Sequence, residues 1–122
     1  MSSEKVIILG ASDCVDRYSY KAMKMLEDHG HETILVHPKL SEIEGRKVFS
    51  SLSELKGKYD TLTVYVNSKI SSQLKDEILK LDVGRVIFNP GTENDFLESE
   101  LTKNNISTER ACTLVLLSTD QF

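Results

Sequence analysis

A short apolar run near the start of the chain constrains the fold more than any other feature of the sequence. The residues from Val6 to Leu9 are all apolar, and Gly10 follows them directly. A strand with one face in water alternates apolar and polar residues, whereas an unbroken apolar strand is buried on both faces. We therefore predict that Lys5–Gly10 is a central strand of a parallel sheet with helices on both sides.

The rest of the chain alternates between short apolar runs and stretches with helically spaced apolar residues. This is the pattern of parallel strands joined by crossover helices. The predicted strands are Lys5–Gly10, Glu32–His37, Thr61–Val66, Arg85–Phe88 and Ile106–Glu109. The predicted helices are Arg17–His29, a helix with Ile70, Leu74, Ile78 and Leu81 on one face, and a helix from Asn94 to about Lys103.

Two segments are less well defined by their pattern. Lys39–Lys58 contains a connection, the short apolar piece Val48–Phe49 and a candidate one-turn helix at Ser51–Leu55, while Cys112–Leu117 fits either a strand extension or a final packed segment. Because no repeat or linker interrupts the chain, we expect residues 1–122 to form one domain. Right-handed crossovers then predict an α/β, doubly wound parallel sheet of about five strands in three layers.

Composition and charge exclude several classes of function. The 122 residues include 15 Lys and Arg against 19 Asp and Glu, a net charge of −4, so the basic surface that binds nucleic acid is missing. No run approaches the ~20 apolar residues of a membrane-spanning helix, and no signal-peptide pattern is present, so we expect a cytoplasmic protein without a membrane partner. Cys14 and Cys112 form no CxxC pair or Cys/His cluster, which predicts neither a disulfide framework nor a metal site.

Small residues occupy the turn after the first predicted strand. Gly10, Ala11 and Ser12 would let the backbone approach a phosphate at the positive amino end of the next helix. Arg17 and the hydroxyls of Ser12 and Ser19 add hydrogen-bond donors. Because ligands of doubly wound sheets lie beyond the carboxyl ends of the strands, we expect a phosphate here. A plain strand-to-helix turn is the alternative.

The second predicted strand ends in cationic rather than acidic residues. His37, Pro38 and Lys39 stand where an NAD-binding chain places the carboxylate that holds the ribose, and two of the three fingerprint glycines are also missing. A cation suits a phosphorylated ribose, as in NADP and coenzyme A, better than a bare ribose diol. A solvated loop lysine is the alternative for Lys39.

The loop Asn89–Asn94 is the most unusual in composition. Pro90 fixes a backbone angle and Gly91 permits close approach, so the loop could form a rigid wall of the crevice, or simply a turn before the next helix. Neither His37 nor Cys14 has an identifiable catalytic partner in the sequence. We therefore predict no catalytic residue.

The order and spacing of these segments resemble those of one protein family. The matching pieces are VIILGAS at 6–12, RYSYKA at 17–22, VHPK at 36–39, IEG at 43–45, SL at 51–52, NPGTEN at 89–94 and ACTLVLL at 111–117. In this combination the chain is similar to the stand-alone CoA-binding domain proteins. These are relatives of the CoA-binding domain of the succinyl-CoA synthetase alpha subunit and of NDP-forming acyl-CoA synthetases.

The resemblance implies a Rossmann-like domain that holds the ADP part of coenzyme A against the first loop. By position, it assigns the phosphates to Gly10–Ser12 and Arg17, the phosphorylated ribose to Lys39, the adenine or pantetheine side to Val66–Asn67, and the pantetheine arm to Gly91. The complete set of predicted cofactor-binding residues is Gly10, Ala11, Ser12, Arg17, Ser19, His37, Pro38, Lys39, Val66, Asn67, Asn89, Pro90, Gly91 and Glu93.

The same resemblance favours binding over catalysis. The synthetases also need a phosphohistidine segment and an ATP-grasp partner domain, for which these 122 residues have no counterpart. We predict a non-catalytic or regulatory module that binds coenzyme A or an acyl-CoA, with a homodimer or an acyl-CoA-using enzyme as its macromolecular partner. The alternatives are a small NADP-dependent enzyme and a thiol-redox protein in which Cys14 or Cys112 forms a mixed disulfide with CoA.

Overall fold

The computed structural model describes residues 3–122, which are built around one sheet. Its strands are β1 (Lys5–Leu9), β2 (Glu32–Val36), β3 (Glu42–Ile43), β4 (Arg46–Phe49), β5 (Lys58–Val64), β6 (Asp82–Phe88) and β7 (Ser107–Arg110). They lie in the order β3-β4-β2-β1-β5-β6-β7, and neighbours run parallel except β3 and β4. The predicted α/β, Rossmann-like fold is confirmed, with seven strands instead of about five.

Helices cover both faces of this sheet. They are α1 (Tyr18–Asp28), α2 (Ser68–Gln73), α3 (Lys75–Leu79), α4 (Asp95–Lys103) and α5 (Thr113–Ser118), and a 3-10 turn at Leu52–Glu54 follows β4. Ile78 of α3 and Leu97 of α4 pack on one face, whereas Met23 of α1 and Leu117 of α5 pack on the other. The predicted three layers are therefore present. No helix within residues 3–122 is long and apolar enough to cross a membrane.

β1 lies between β2 and β5 and is buried on both faces. Val6, Ile7 and Ile8 are fully buried, and Leu9 is 4% exposed. Ile7 and Leu9 pack in the core under α3 and α4, while Val6 and Ile8 pack in the core under α1 and α5. The prediction of a central strand covered by helices on both sides is confirmed.

The segment after β2 supplies the additional strands. β4 pairs in parallel with β2, and β3 folds back against β4 as an antiparallel hairpin. Glu44 and Gly45 make the hairpin turn at φ values of 49° and 80°, a left-handed conformation that glycine adopts without strain. The apolar piece Val48–Phe49 is thus the end of β4, and the candidate helix at Ser51–Leu55 is the 3-10 turn.

Three predicted boundaries change in the second half of the chain. The helix predicted after β5 is two short helices that meet at Leu74, whose φ of −95° and ψ of 7° depart from helical geometry, and Leu81 lies beyond them in the core. β5 ends at Val64, so Val66 belongs to the following turn. The segment Cys112–Leu117 contributes α5 rather than a strand.

The strand order reverses at β1. The chain passes from β1 to β2 and β4 on one side, and then returns to place β5 on the other side of β1. The connections on the two sides of such a point diverge, which leaves a crevice outside the carboxyl ends of the strands. Residues that follow β1, β2, β5 and β6 therefore meet at one edge of the sheet.

Candidate functional site

A cleft of about 840 Å³ opens at this edge. It is lined by residues that follow four parallel strands, together with side chains of α2, α3 and the segment before the 3-10 turn. The predicted cofactor-binding residues in its lining are Gly10, Ala11, Ser12, Arg17, Ser19, His37, Pro38, Val66, Asn67, Pro90 and Gly91. Segments far apart in sequence thus form one concave site.

The turn after β1 requires glycine at its first position. Gly10 has a φ of 93°, and a Cβ atom added to it would lie 3.0 Å from Val66 Cγ1 and 3.1 Å from the Tyr65 carbonyl. The N–H groups of Gly10 and Ala11 both donate to the Val36 carbonyl, at 3.0 and 3.1 Å. The turn is therefore packed tightly against the ends of β2 and β5, and its backbone forms part of the cleft.

The amino end of α1 gives its side of the cleft a positive character. Arg17 is its N-cap residue, and its side chain is exposed and makes no capping hydrogen bond. The first turn of α1 contains no acidic side chain that would offset the positive end of the helix. Ser12 accepts a hydrogen bond from the Cys14 N–H at 3.0 Å, which orders the loop leading into the helix. An anion is the ligand that this arrangement suits best.

His37 shapes the turn after β2. Its Nδ1 accepts hydrogen bonds from the N–H groups of Lys39 at 3.0 Å and Leu40 at 3.2 Å. In the neutral ring the hydrogen is therefore on Nε2, which can donate to a ligand. Lys39 itself is exposed and is not part of the cleft lining, although it directly follows Pro38, which is. After the turn that His37 caps, the chain leads away from the edge of the cleft.

Asn89 also lies outside the cleft lining, because its side chain is directed inward. It is 1% exposed, and its Nδ2 donates to Thr63 Oγ1 at 2.6 Å and to the Val64 carbonyl at 2.9 Å. Its Oδ1 accepts from the Thr113 N–H at 2.9 Å, at the start of α5. Asn89 therefore joins β5, β6 and α5 beneath the wall of the cleft instead of facing a ligand.

Glu93 is the third predicted residue that the lining does not include. Its carboxylate accepts a hydrogen bond from the Gly91 N–H at 3.0 Å, and the residue is exposed. Gly91 has a φ of 89°, and Thr92 donates through Oγ1 to the Asn89 carbonyl at 2.7 Å. Both interactions hold the loop that presents Pro90 and Gly91 to the cleft.

The structure adds lining residues that the sequence reasoning missed. Leu52, Ile70, Leu74, Ser51 and Glu77 extend the cleft between the 3-10 turn and helices α2 and α3. The positions 70, 74 and 77 follow the helical spacing that marks one face. A glutamate on a face otherwise occupied by apolar residues was the signal that could have identified Glu77.

The described residues contain no cluster of metal ligands, and both cysteines are unpaired. No group of three His, Cys, Asp or Glu side chains within residues 3–122 is arranged to hold a metal ion. Cys14 is exposed and Cys112 is half-buried, and both are free thiols. The charged side chains in the cleft lining are Arg17 and Glu77, with His37 as a further titratable group.

Comparison with known proteins identifies the family. The sequence profile described as CoA binding domain matches residues 4–118 of this chain. The chain belongs to the CoA binding domain family.

The crystal structure of an uncharacterized protein has 41% sequence identity to this chain and a TM-score of 0.93, with 100% of each chain covered. A conserved hypothetical protein from Pyrococcus furiosus has 28% identity and a TM-score of 0.81, with 88% of this chain and 92% of that chain covered. The uncharacterized protein YneT of Bacillus subtilis strain 168 is 35% identical over 80 residues, which span 66% of this chain and 59% of YneT.

Proposed function

We propose that this protein binds coenzyme A, or an acyl-CoA, through the ADP and pantetheine parts of the ligand. The observation that carries the proposal is the cleft at the switch point of the sheet, which joins the Gly10 turn, the amino end of α1 and the Pro90–Gly91 wall. Membership of the CoA binding domain family supports the same ligand.

The phosphates of the ligand belong at the Gly10 turn. The tight turn brings backbone close to the ligand, and Arg17 and the free N–H groups of α1 supply positive charge. Arginine and phosphate form charge-assisted hydrogen bonds that are stronger than neutral ones. The pantetheine arm would then extend past Pro90 and Gly91, which Glu93 holds in place.

The proposed role is binding rather than catalysis. His37 uses Nδ1 to cap its own turn, which leaves one donor and no free ring acceptor in the neutral form. Asn89 is likewise committed to the hydrogen bonds that join β5 and α5. Neither side chain offers a free base to a bound ligand, which supports a binding module.

Isothermal titration of protein freed of bound ligand tests the proposal with CoA, dephospho-CoA and NADP. We expect CoA to bind most tightly, and absence of binding at millimolar CoA would refute the proposal.

Lys39 flanks the cleft residue Pro38, so we propose that its flexible side chain reaches the ribose phosphate. An exposed pair of this kind predicts about a two- to fivefold advantage of CoA over dephospho-CoA, lost in Lys39→Gln. Tighter binding of NADP than of CoA would favour the NADP-dependent alternative.

A charge-matched pair of variants tests the phosphate site. Arg17→Gln should weaken CoA binding about tenfold or more, because a charge-assisted contact is lost. Lys103→Gln removes the same charge at the far end of α4, where Lys103 is 69% exposed beside Glu100, and should leave the affinity unchanged. Equal losses in the two variants would show that general charge, and not Arg17, accounts for the effect.

A further inference from the structure

One arm of the cleft is lined by the segment at the start of the 3-10 turn and by residues of α2 and α3 rather than by the Gly10 turn. Its walls are apolar: Leu52 is fully buried in the core, Leu74 is half-buried, and Ile70 is 42% exposed. Ser51 and Glu77 are the polar side chains where the 3-10 turn and α3 meet. This arm therefore combines apolar walls with a single acidic end.

The acidic end is held in a fixed orientation. The Ser51 hydroxyl donates to Glu77 Oε1 at 2.7 Å. A hydroxyl has one hydrogen and two acceptor sites, and Ser51 Oγ also accepts from the Ser53 N–H at 3.2 Å and lies 2.8 Å from Ser53 Oγ. Because the single Ser51 hydrogen is used on Glu77, the Ser53 hydroxyl must donate to Ser51. The serines thus orient one carboxylate oxygen and leave the other, Oε2, without a protein donor in the described residues.

Resting on the CoA-type ligand proposed above, we infer that this arm takes a 6-aminopurine ring and that Glu77 selects the exocyclic amino group. An ionised carboxylate only accepts hydrogen bonds. The amino group of adenine donates, whereas hypoxanthine and guanine carry an acceptor oxygen at the same ring position. With the ring in the position that places the adenine amino group against Glu77, that oxygen would face the carboxylate with no hydrogen between them, and sites built for a donor strongly reject ligands that lack it.

The other arm of the cleft, at the Pro90–Gly91 wall, suits the pantetheine part of the ligand better than it suits the adenine ring. The Pro90–Gly91 wall is exposed and contributes backbone groups, and its one carboxylate, Glu93, is already bonded to the Gly91 N–H at 3.0 Å. A flat ring gains more from the apolar walls of Leu52 and Leu74, because aromatic rings bury a large apolar area. Phosphates at Gly10 would leave the two arms free for the two ends of the ligand.

The base preference can be measured on the unaltered protein by titration with CoA, ADP and IDP. We expect ADP to bind about ten- to a hundredfold more tightly than IDP, since IDP loses a hydrogen bond to a charged group. Equal affinity for ADP and IDP, with CoA bound, overturns the inference and leaves the proposed function standing. If ADP binds more tightly than IDP but CoA binds no more tightly than ADP, the inference is supported and the CoA proposal is contradicted. Absence of binding by all three ligands overturns both.

Variants on α3 assign the preference to Glu77. The amide of Glu77→Gln can both donate and accept, so the ADP-to-IDP ratio should fall by about tenfold or more toward one. Asp76→Asn makes the matched change on the neighbouring residue, whose side chain is 82% exposed, and should keep the wild-type ratio. An unchanged ratio in a Glu77→Gln protein with a wild-type thermal unfolding midpoint would contradict the assignment.

Discussion

At the scale of single residues, the Tyr65 hydroxyl is the least satisfied polar group. It is buried and has no hydrogen-bond partner within residues 3–122, although the hydroxyls of Thr63 and Thr113 are close and bond to each other at 2.8 Å. A buried polar group without a partner opposes folding. We expect Tyr65→Phe to leave the free energy of unfolding at pH 8 unchanged or to raise it by up to about 1 kcal/mol. Urea denaturation provides the measurement.

Burial also raises the pKa of Tyr65 to about 12, an effect that the neighbouring Thr113 and Thr63 hydroxyls partly oppose. The unfolded chain ionises nearer pH 10, so the contribution of neutral Tyr65 to stability is complete below pH 10 and is lost as the pH rises toward 12. Wild type should therefore lose about 1.4 kcal/mol at pH 11 relative to Tyr65→Phe. A difference between the two proteins that is constant from pH 8 to pH 11 would contradict this origin.

Residue types in the sequence predict the chemistry of a side chain better than the direction in which that side chain points. Most of the predicted cofactor-binding residues line the cleft because strand ends and turns place whole segments there. Asn89 differs because its partners, Thr63 and Thr113, lie 26 and 24 residues away. No local pattern shows that its amide points toward them. The sequence did not predict that Glu77 lines the cleft, because a glutamate on a helix is usually solvated.

At the scale of elements, Asn94 links two helices on one face of the sheet. Its Oδ1 accepts from the Leu97 N–H at 3.0 Å and caps α4, and its Nδ2 donates to Ser71 Oγ at 2.8 Å and Ser72 Oγ at 2.9 Å in α2. Losing both functions in Asn94→Ala should lower the free energy of unfolding by about 2–3 kcal/mol. Denaturation in urea measures the change.

Two further variants separate the cap from the link. Asn67 caps α2 through Ile70 at 2.9 Å and is exposed, so Asn67→Ala should cost only about 1 kcal/mol. Asn94→Ser keeps a good capping residue but is too short to reach α2, and should fall between the other two. If Asn94→Ala costs no more than Asn67→Ala, the link to α2 contributes nothing to stability.

The sequence predicts the long elements because their patterns extend over many residues. β1, β2, β5, β6 and α1 were all predicted, with boundary changes of a few residues. The hairpin of β3 and β4 was not, since Glu42–Ile43 is two residues long and its pairing depends on a left-handed turn at Glu44 and Gly45. Thr113–Ser118 has too few polar residues to distinguish strand from helix.

At the scale of the whole molecule, one sheet separates two cores that share the same strands. Ile8 is fully buried in the core under α1 and α5, and Ile78 is fully buried in the core under α3 and α4. The central strand β1 contributes side chains to both cores. Loss of packing in either layer would therefore expose one face of a strand on which the other core also depends. We therefore expect residues 1–122 to unfold as a single cooperative unit.

Conservative variants in the two cores test this cooperativity. Ile8→Val and Ile78→Val should each lower the free energy of unfolding by about 1 kcal/mol, and the double variant by their sum within about 0.5 kcal/mol. Far-UV circular dichroism and tyrosine fluorescence should report one common midpoint in every case. Val115→Ala, at a side chain that is 56% exposed on α5, should change the stability by less than about 0.5 kcal/mol. A variant that shifts one probe and not the other would show that the two layers unfold separately.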